Sequence, residues 1–204
     1  MFDSQLILLN STLIYTAIAI FSLTMGSLLN VIIYRLPLMM KAEWLAECQC
    51  LLEQPPTAAP TINLFFPRSF CTACKKTITA FQNIPLLSYL FLRGRCGHCQ
   101  HLISPRYPLI ELFSALLALF AYQHFGFTLT FLFALLFIWL LLCLLFIDLD
   151  HQLLPDTLTL GLLWLGLIAN TQSLFTSLPN AVFSACGAYL FLWLFIKLFY
   201  LITG

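Results

Sequence analysis

The sequence predicts an all-α polytopic membrane protein: about five transmembrane helices, with a polar metal-binding insert between the first and second. Three observations carry this reading. Of 204 residues, 61% are hydrophobic and only 8% charged, and the mean hydropathy is +0.96. A soluble domain carries roughly 25% charged residues, so this chain has too little polar surface to cover a soluble globule. Its apolar residues fall into runs that approach the ~20 residues needed to cross a bilayer. Its basic residues gather in one polar stretch. The formal net charge of +1 by itself says nothing about nucleic acid, but no basic stripe exists beyond what topology explains, so no nucleic-acid partner is expected, and the lipid bilayer is the partner that the composition demands.

The first span is expected at Leu8–Ile33. Its flank, Met1–Ser4, contains Asp3 and no Lys or Arg, and the run ends in Arg35 without a small-residue cleavage site. It therefore reads as a retained span and not a signal peptide. The second, Tyr107–Tyr122, is short and opened by Pro105 and Pro108. The third covers Phe127–Ile147, the fourth Thr157–Ala169 and the fifth Leu178–Ile202. Spans two and four are short for a ~30 Å hydrocarbon core and call for extension into their flanks or a thinned bilayer. The chain thus divides into a first helix (1–34), an insert (35–106) and a second helical block (107–204).

The insert holds Arg35, Lys41, Arg68, Lys75, Lys76, Arg93, Arg95 and Arg106, leaving only Lys197 elsewhere. Lys and Arg near span ends are retained in the cytoplasm, which places the insert inside and the N-terminus outside a bacterial inner membrane. Gln54–Pro60 reads as a flexible connection. No internal repeat is evident.

Within the insert, Cys71-Thr72-Ala73-Cys74 and Cys96-Gly97-His98-Cys99 form two C-x-x-C knuckles separated by residues 75–95. Each knuckle aims two thiolates at one point, and four such ligands make a tetrahedral Zn2+ site of the closed, structural kind. A reducing cytoplasm disfavours disulfides, and Lys75, Lys76, Arg93 and Arg95 favour ionised thiols. Unpaired or redox cysteines are the competing reading. Cys48 and Cys50 read as spare thiols, and Cys143 and Cys186 as packing residues within spans. His98 and His101 read as neighbours of a site that four cysteines already close.

Span three runs into Asp148, Asp150, His151, Pro155 and Asp156, so that three of the chain's eight acids fall within nine residues. Ionisable groups at a membrane boundary are costly and tend to be functional. Asp148 stands nearest the hydrocarbon, where desolvation would raise its pKa toward acid–base use; a plain helix-end carboxylate is the equal alternative. Asp150, two residues on, is expected on a different, solvated face. Asp156 has the signature of a helix N-cap, and His151 reads as an interfacial polar residue. Glu111 reads equally as charge compensation at a helix start or as a functional contact.

Taken in order, these segments resemble the type IV prepilin leader peptidase family, the prepilin peptidase/N-methyltransferases. Gly26-Ser-Leu-Leu-Asn30 through Arg35-Leu-Pro37 resembles the family's first-span signature, with Leu28 where phenylalanine is common. Asn83-Ile-Pro85 through Ser88, with Arg93-Gly-Arg-Cys96, resembles the segment leading to the second knuckle, with Gln82 where glutamate is usual. Ile103-Ser-Pro-Arg106-Tyr107-Pro108 through Glu111 resembles the start of the second span. Phe146-Ile-Asp148-Leu-Asp150 through Pro155-Asp156 resembles the first catalytic-aspartate motif, which gives Asp148 the catalytic role.

The resemblance implies a bifunctional enzyme acting on type IV prepilins or type II secretion pseudopilins. It would cut the leader at the cytoplasmic face with an aspartic dyad. It would then N-methylate the new terminus with S-adenosyl-L-methionine. The family's second catalytic aspartate lies in a Gly-x-Gly-Asp segment that occurs nowhere in these 204 residues. The chain therefore reads as C-terminally truncated, with little peptidase activity expected of it. No Gly-rich nucleotide fingerprint marks a cofactor site. Two alternatives stand beside the enzyme. One is a non-catalytic, zinc-stabilised membrane module left by a truncated gene. The other is a transporter-like bundle, disfavoured because no acid lies mid-membrane and no span pair looks inverted.

Overall fold

The computed structural model describes residues 2–55, 62–71, 73–79 and 84–203, with side chains from residue 11 onward. The connecting residues 56–60, and Gln82 and Asn83 of the resemblance, lie outside the described residues. The molecule is helical: α1 (Phe2–Leu51), α2 (Leu87–Phe91), α3 (Arg106–Phe125), α4 (Leu129–His151), α5 (Asp156–Thr171) and α6 (Leu178–Thr203). Among the described residues there is no strand, only two isolated bridges, Phe70 with Thr77 and Arg95 with Leu102.

Four helices are long and apolar enough to cross a membrane: α1, α3, α4 and α6. The fourth expected span is α5, whose 16 residues cover about 24 Å at 1.5 Å per residue, short of a ~30 Å core. The first span differs more. The expected span ends before Arg35, yet α1 continues through Arg35 and Pro37 to Leu51. Its 50 residues amount to a rod of about 75 Å, more than twice the hydrocarbon thickness. Pro37 sacrifices one backbone hydrogen bond, but it is fully buried. Tertiary contact thus supports what local propensity opposes.

α1, α3 and α4 pack together as the core; α5 lies against α4, and α6 contacts α5. The α1–α3 approach is close because Gly26 has no side chain: a Cβ there would stand 2.6 Å from the Glu111 Cα and 3.2 Å from the Ser114 Cβ. Small residues at such crossings let backbones approach within the membrane. A polar relay ties the three helices at this level. Ser114 donates its hydroxyl to the Ser22 carbonyl at 2.7 Å, and Trp139 Nε1 donates to Ser114 Oγ at 3.0 Å. Near the far end of α3, Tyr122 packs edge-on against Tyr15 of α1 and Phe131 of α4. None of the described residues of α6 is buried.

Candidate functional site

The insert is built on two turns of the same design. In each, the first cysteine's N–H donates to the carbonyl five residues on: Cys71 to Lys76 and Cys96 to His101, both at 2.9 Å. The residue four positions on returns the bond to the cysteine carbonyl, Lys75 to Cys71 at 2.9 Å and Gln100 to Cys96 at 3.0 Å. Both returning residues take positive φ, 60° at Lys75 and 58° at Gln100. Each turn is closed by its bridge, one residue before the first cysteine and one after the accepting carbonyl. This local duplication was invisible in the sequence, because only the cysteines themselves are shared.

The four thiols of Cys71, Cys74, Cys96 and Cys99 lie within 4.8 Å of one another, with Cys71 and Cys99 Sγ at 3.8 Å. A tetrahedral ion with metal–sulfur bonds of 2.3 Å needs sulfurs about 3.8 Å apart, so the cluster could hold a metal. The electrostatics are uneven. Backbone hydrogen bonds from Cys99 and His98 lower the Cys96 thiol to about 6. Cys99 accepts a lowering backbone bond from His101, yet burial and its contacts with the other thiols push it up to about 11. His101 reaches the cluster through its backbone. Cys48 and Cys50 are exposed on α1, away from the cluster; Cys143 is buried in α4, and Cys186 is exposed on α6.

The insert is fastened to the helices by residues that the sequence marked only as topology or motif. Arg35 is buried in α1. Its guanidinium donates to the carbonyls of Asn63 at 2.9 Å, Leu64 at 3.3 Å and Pro67. Glu111, buried in α3, accepts from the Leu86 N–H at 2.8 Å, a tertiary contact where sequence left two readings open. Asn30 Nδ2 donates to the Tyr107 carbonyl at 3.1 Å. A buried Asn beside an Arg five residues on, at the end of an apolar run, was the signal available in the sequence.

Between the insert, the middle of α1 and the start of α3 lies a cavity of about 390 Å3, lined in part by Cys71 and Cys96. Asp148 is not among its lining residues. It sits in the last turn of α4, exposed, and its carboxylate has no hydrogen-bond or ion-pair partner among the described residues. Its carbonyl accepts from the Gln152 N–H at 2.8 Å, and Gln152 ends α4 with φ 51°. Asp150 is exposed, as a solvated face requires, and is also paired with Arg106 of α3. Arg106 also donates to the Phe146 carbonyl at 3.3 Å and lies 5.3 Å from the Phe146 ring centroid. Asp156 is the first residue of α5, and Pro155 takes the cap position without a side-chain bond.

Two family models match the chain: the bacterial peptidase A24 N-terminal domain over residues 20–125, and the type IV leader peptidase family over residues 135–203. Curated relatives carry the name prepilin leader peptidase/N-methyltransferase. The Legionella pneumophila protein is 58% identical over 93% of this chain and 66% of its own length. The Pseudomonas aeruginosa protein is 50% identical over 89% and 63%, and the Aeromonas hydrophila protein 48% over 94% and 67%. The chain therefore spans about two thirds of the length of these relatives. No solved structure matches it. With both family models matched in order along the chain, and with identities near half or above, the chain belongs to the type IV prepilin leader peptidase family.

Proposed function

We propose that this chain forms part of an inner-membrane enzyme that removes the leader of type IV prepilins or pseudopilins and N-methylates the amine so exposed. Asp148 supplies one of the two carboxylates of the peptidase centre. In such a dyad the ionised carboxylate activates water and the protonated one polarises the scissile carbonyl. The observation that carries this assignment is the setting of Asp148. It is exposed and has no partner among the described residues, on a helix turn held on either side through the Phe146 carbonyl and Asp150 by Arg106. The basic insert supports a cytoplasmic orientation, which puts this turn and the thiol cluster on the same side as the prepilin leader. Residues 1–34 then serve as membrane anchor, 35–106 as a cytoplasmic lobe, and 107–204 as the helical block that carries Asp148.

Cys71, Cys74, Cys96 and Cys99 would hold Zn2+, which when bound supplies structure to the lobe and no chemistry. The methyl donor is S-adenosyl-L-methionine. Cleavage needs a second carboxylate, and no Gly-x-Gly-Asp segment occurs in the 204 residues. A second reading, resting on the thiol cluster alone, makes the chain a non-catalytic, zinc-stabilised membrane module.

Two assays on the purified 204-residue chain in detergent separate the readings: cleavage of a prepilin leader peptide, and methyl transfer to a peptide beginning with free phenylalanine. The expected result is methyl transfer without appreciable cleavage. Cleavage that disappears in Asp148→Asn would confirm the aspartate and overturn the view that its partner is missing. Loss of both activities in a folded, zinc-loaded chain would favour the non-catalytic module.

A further inference from the structure

We propose that the cavity enclosed by α1, α3 and the two cysteine turns is the binding site for the methyl donor, a sulfonium nucleoside carrying an amino-acid tail. This rests on the methyltransferase reading above and adds the place and the residues. The cavity, at about 390 Å3, has the size of a small-molecule site: too large for a lone ion and too small for a folded peptide. Its wall combines aromatic rings with opposite charges. Tyr34, Phe70, Tyr89 and Tyr107 line it, together with Lys76 and Glu111.

Those groups match the ligand piece by piece. A purine stacks on aromatic faces, and a sulfonium is a compact cation that aromatic faces attract as they do an ammonium. The tail's carboxylate suits the exposed ammonium of Lys76. Its ammonium suits the carboxylate of Glu111, of which one oxygen holds the Leu86 N–H. No glycine-rich phosphate loop is needed, because this nucleoside carries no phosphate, and this explains why no fingerprint was visible in the sequence.

The position suits the chemistry as well. Ser104 and Tyr107 line the cavity, and Arg106 between them reaches α4 on either side of Asp148. One wall is therefore shared between the cavity and the turn proposed for leader cleavage. Cys71 and Cys96 form another part of the wall, so an intact metal cluster is a condition for an intact cavity.

The test is calorimetric binding of S-adenosylhomocysteine to the zinc-loaded 204-residue chain in detergent, with zinc content and elution profile as checks on folding. Val31 lines the cavity, and Val31→Trp is expected to abolish binding by filling it. Lys76→Glu, at an exposed position, is expected to weaken binding at least about tenfold by placing like charges together. Lys41→Glu, exposed on α1 outside the cavity, leaves it unchanged. Removing zinc with a chelator abolishes binding, and restoring zinc returns it. Unchanged affinity in folded Val31→Trp would overturn the cavity assignment and leave the methyltransferase reading standing; no affinity in the unmodified chain would overturn both. Should Val31→Trp misfold, ultraviolet cross-linking of radiolabelled S-adenosylmethionine to the unmodified chain decides. Label within residues 69–108 supports the site, and label confined to α4–α6 overturns it.

Discussion

Arg106 and Asp150 join the first residue of α3 to the last turn of α4 across 44 positions of sequence. Both side chains are about one-third exposed, so the pair is worth only about 0.5–1 kcal/mol. Its effect is positional: the same guanidinium holds the Phe146 carbonyl, and Asp148 lies between the two points. Arg106→Gln and Asp150→Asn are each expected to lower thermal stability in detergent slightly. The double variant should lose little more than either single one, since both break the same contact. Amide exchange near Asp148 should quicken in all three. Fully additive losses in the double variant would show that the two residues act separately.

Gly26 sets the distance between α1 and α3. A methyl group there would stand 2.6 Å from the Glu111 Cα, which is backbone and cannot swing away. Gly26→Ala should cost about 1–3 kcal/mol through overpacking, and Gly26→Leu should fail to fold. Thermal unfolding of the detergent-solubilised chain measures this. An Ala variant as stable as the parent would mean that the helices cross less tightly than described.

Arg35 is expected to hold the insert in place. Replacing it with Ala leaves the carbonyls of Asn63, Leu64 and Pro67 without their donor, and hydrogen bonds to a charged group are worth about 1.5–3 kcal/mol. Limited proteolysis should then cut the insert several-fold faster while the helical block stays intact. Arg35→Lys should rescue poorly, because one ammonium cannot spread over several carbonyls as a planar guanidinium does. Equal resistance in the Ala variant would show that the insert is fastened elsewhere.

The thiol cluster has a pH signature. In the metal-free chain, iodoacetamide should label Cys96 with a midpoint near pH 6 and Cys99 only toward pH 11. The folded Cys96 thiol ionises below its ordinary value of 9.0. Its contribution to stability is therefore complete above pH 9 and is lost as pH falls through 6. Cys99 has the opposite sign: its contribution is complete below pH 9 and is lost as pH rises through 11. Equal labelling midpoints for the two would contradict this asymmetry. Cys→Ser at 71, 74, 96 or 99 should each remove bound zinc, whereas Cys48→Ser and Cys50→Ser should retain it.

The long apolar runs made α3, α4 and α6 readable to within a few residues, since hydropathy over about 20 positions admits few alternatives. The thiol cluster was equally readable, because C-x-x-C spacing carries its own geometry. Sequence failed where a distant segment satisfies a local signal. Arg35 looks like the end of the first span until Asn63, Leu64 and Pro67 supply carbonyls for its guanidinium. Asp150 is exposed as expected, but its pairing with Arg106 of α3 could not be read from the sequence. Asp156 was displaced from its expected cap by one position, because Pro155, with φ −59°, occupies that place. The cavity was unreadable for the same reason: its walls come from α1, both cysteine turns, α2 and α3.

Because α1 runs unbroken from Phe2 to Leu51, the crossing at Gly26 and the anchor at Arg35 belong to a single rod. Each residue turns such a rod by about 100°. Adding or deleting one residue between those positions would swing the thiol-bearing lobe by over a quarter-turn relative to the helical block, and no flexible joint lies between them to absorb the error. The azimuth of the lobe is thus indexed to the packing of α1 against α3, and the spacing from 26 to 35 works as a mechanical key that fixes which side of the helical block the lobe faces.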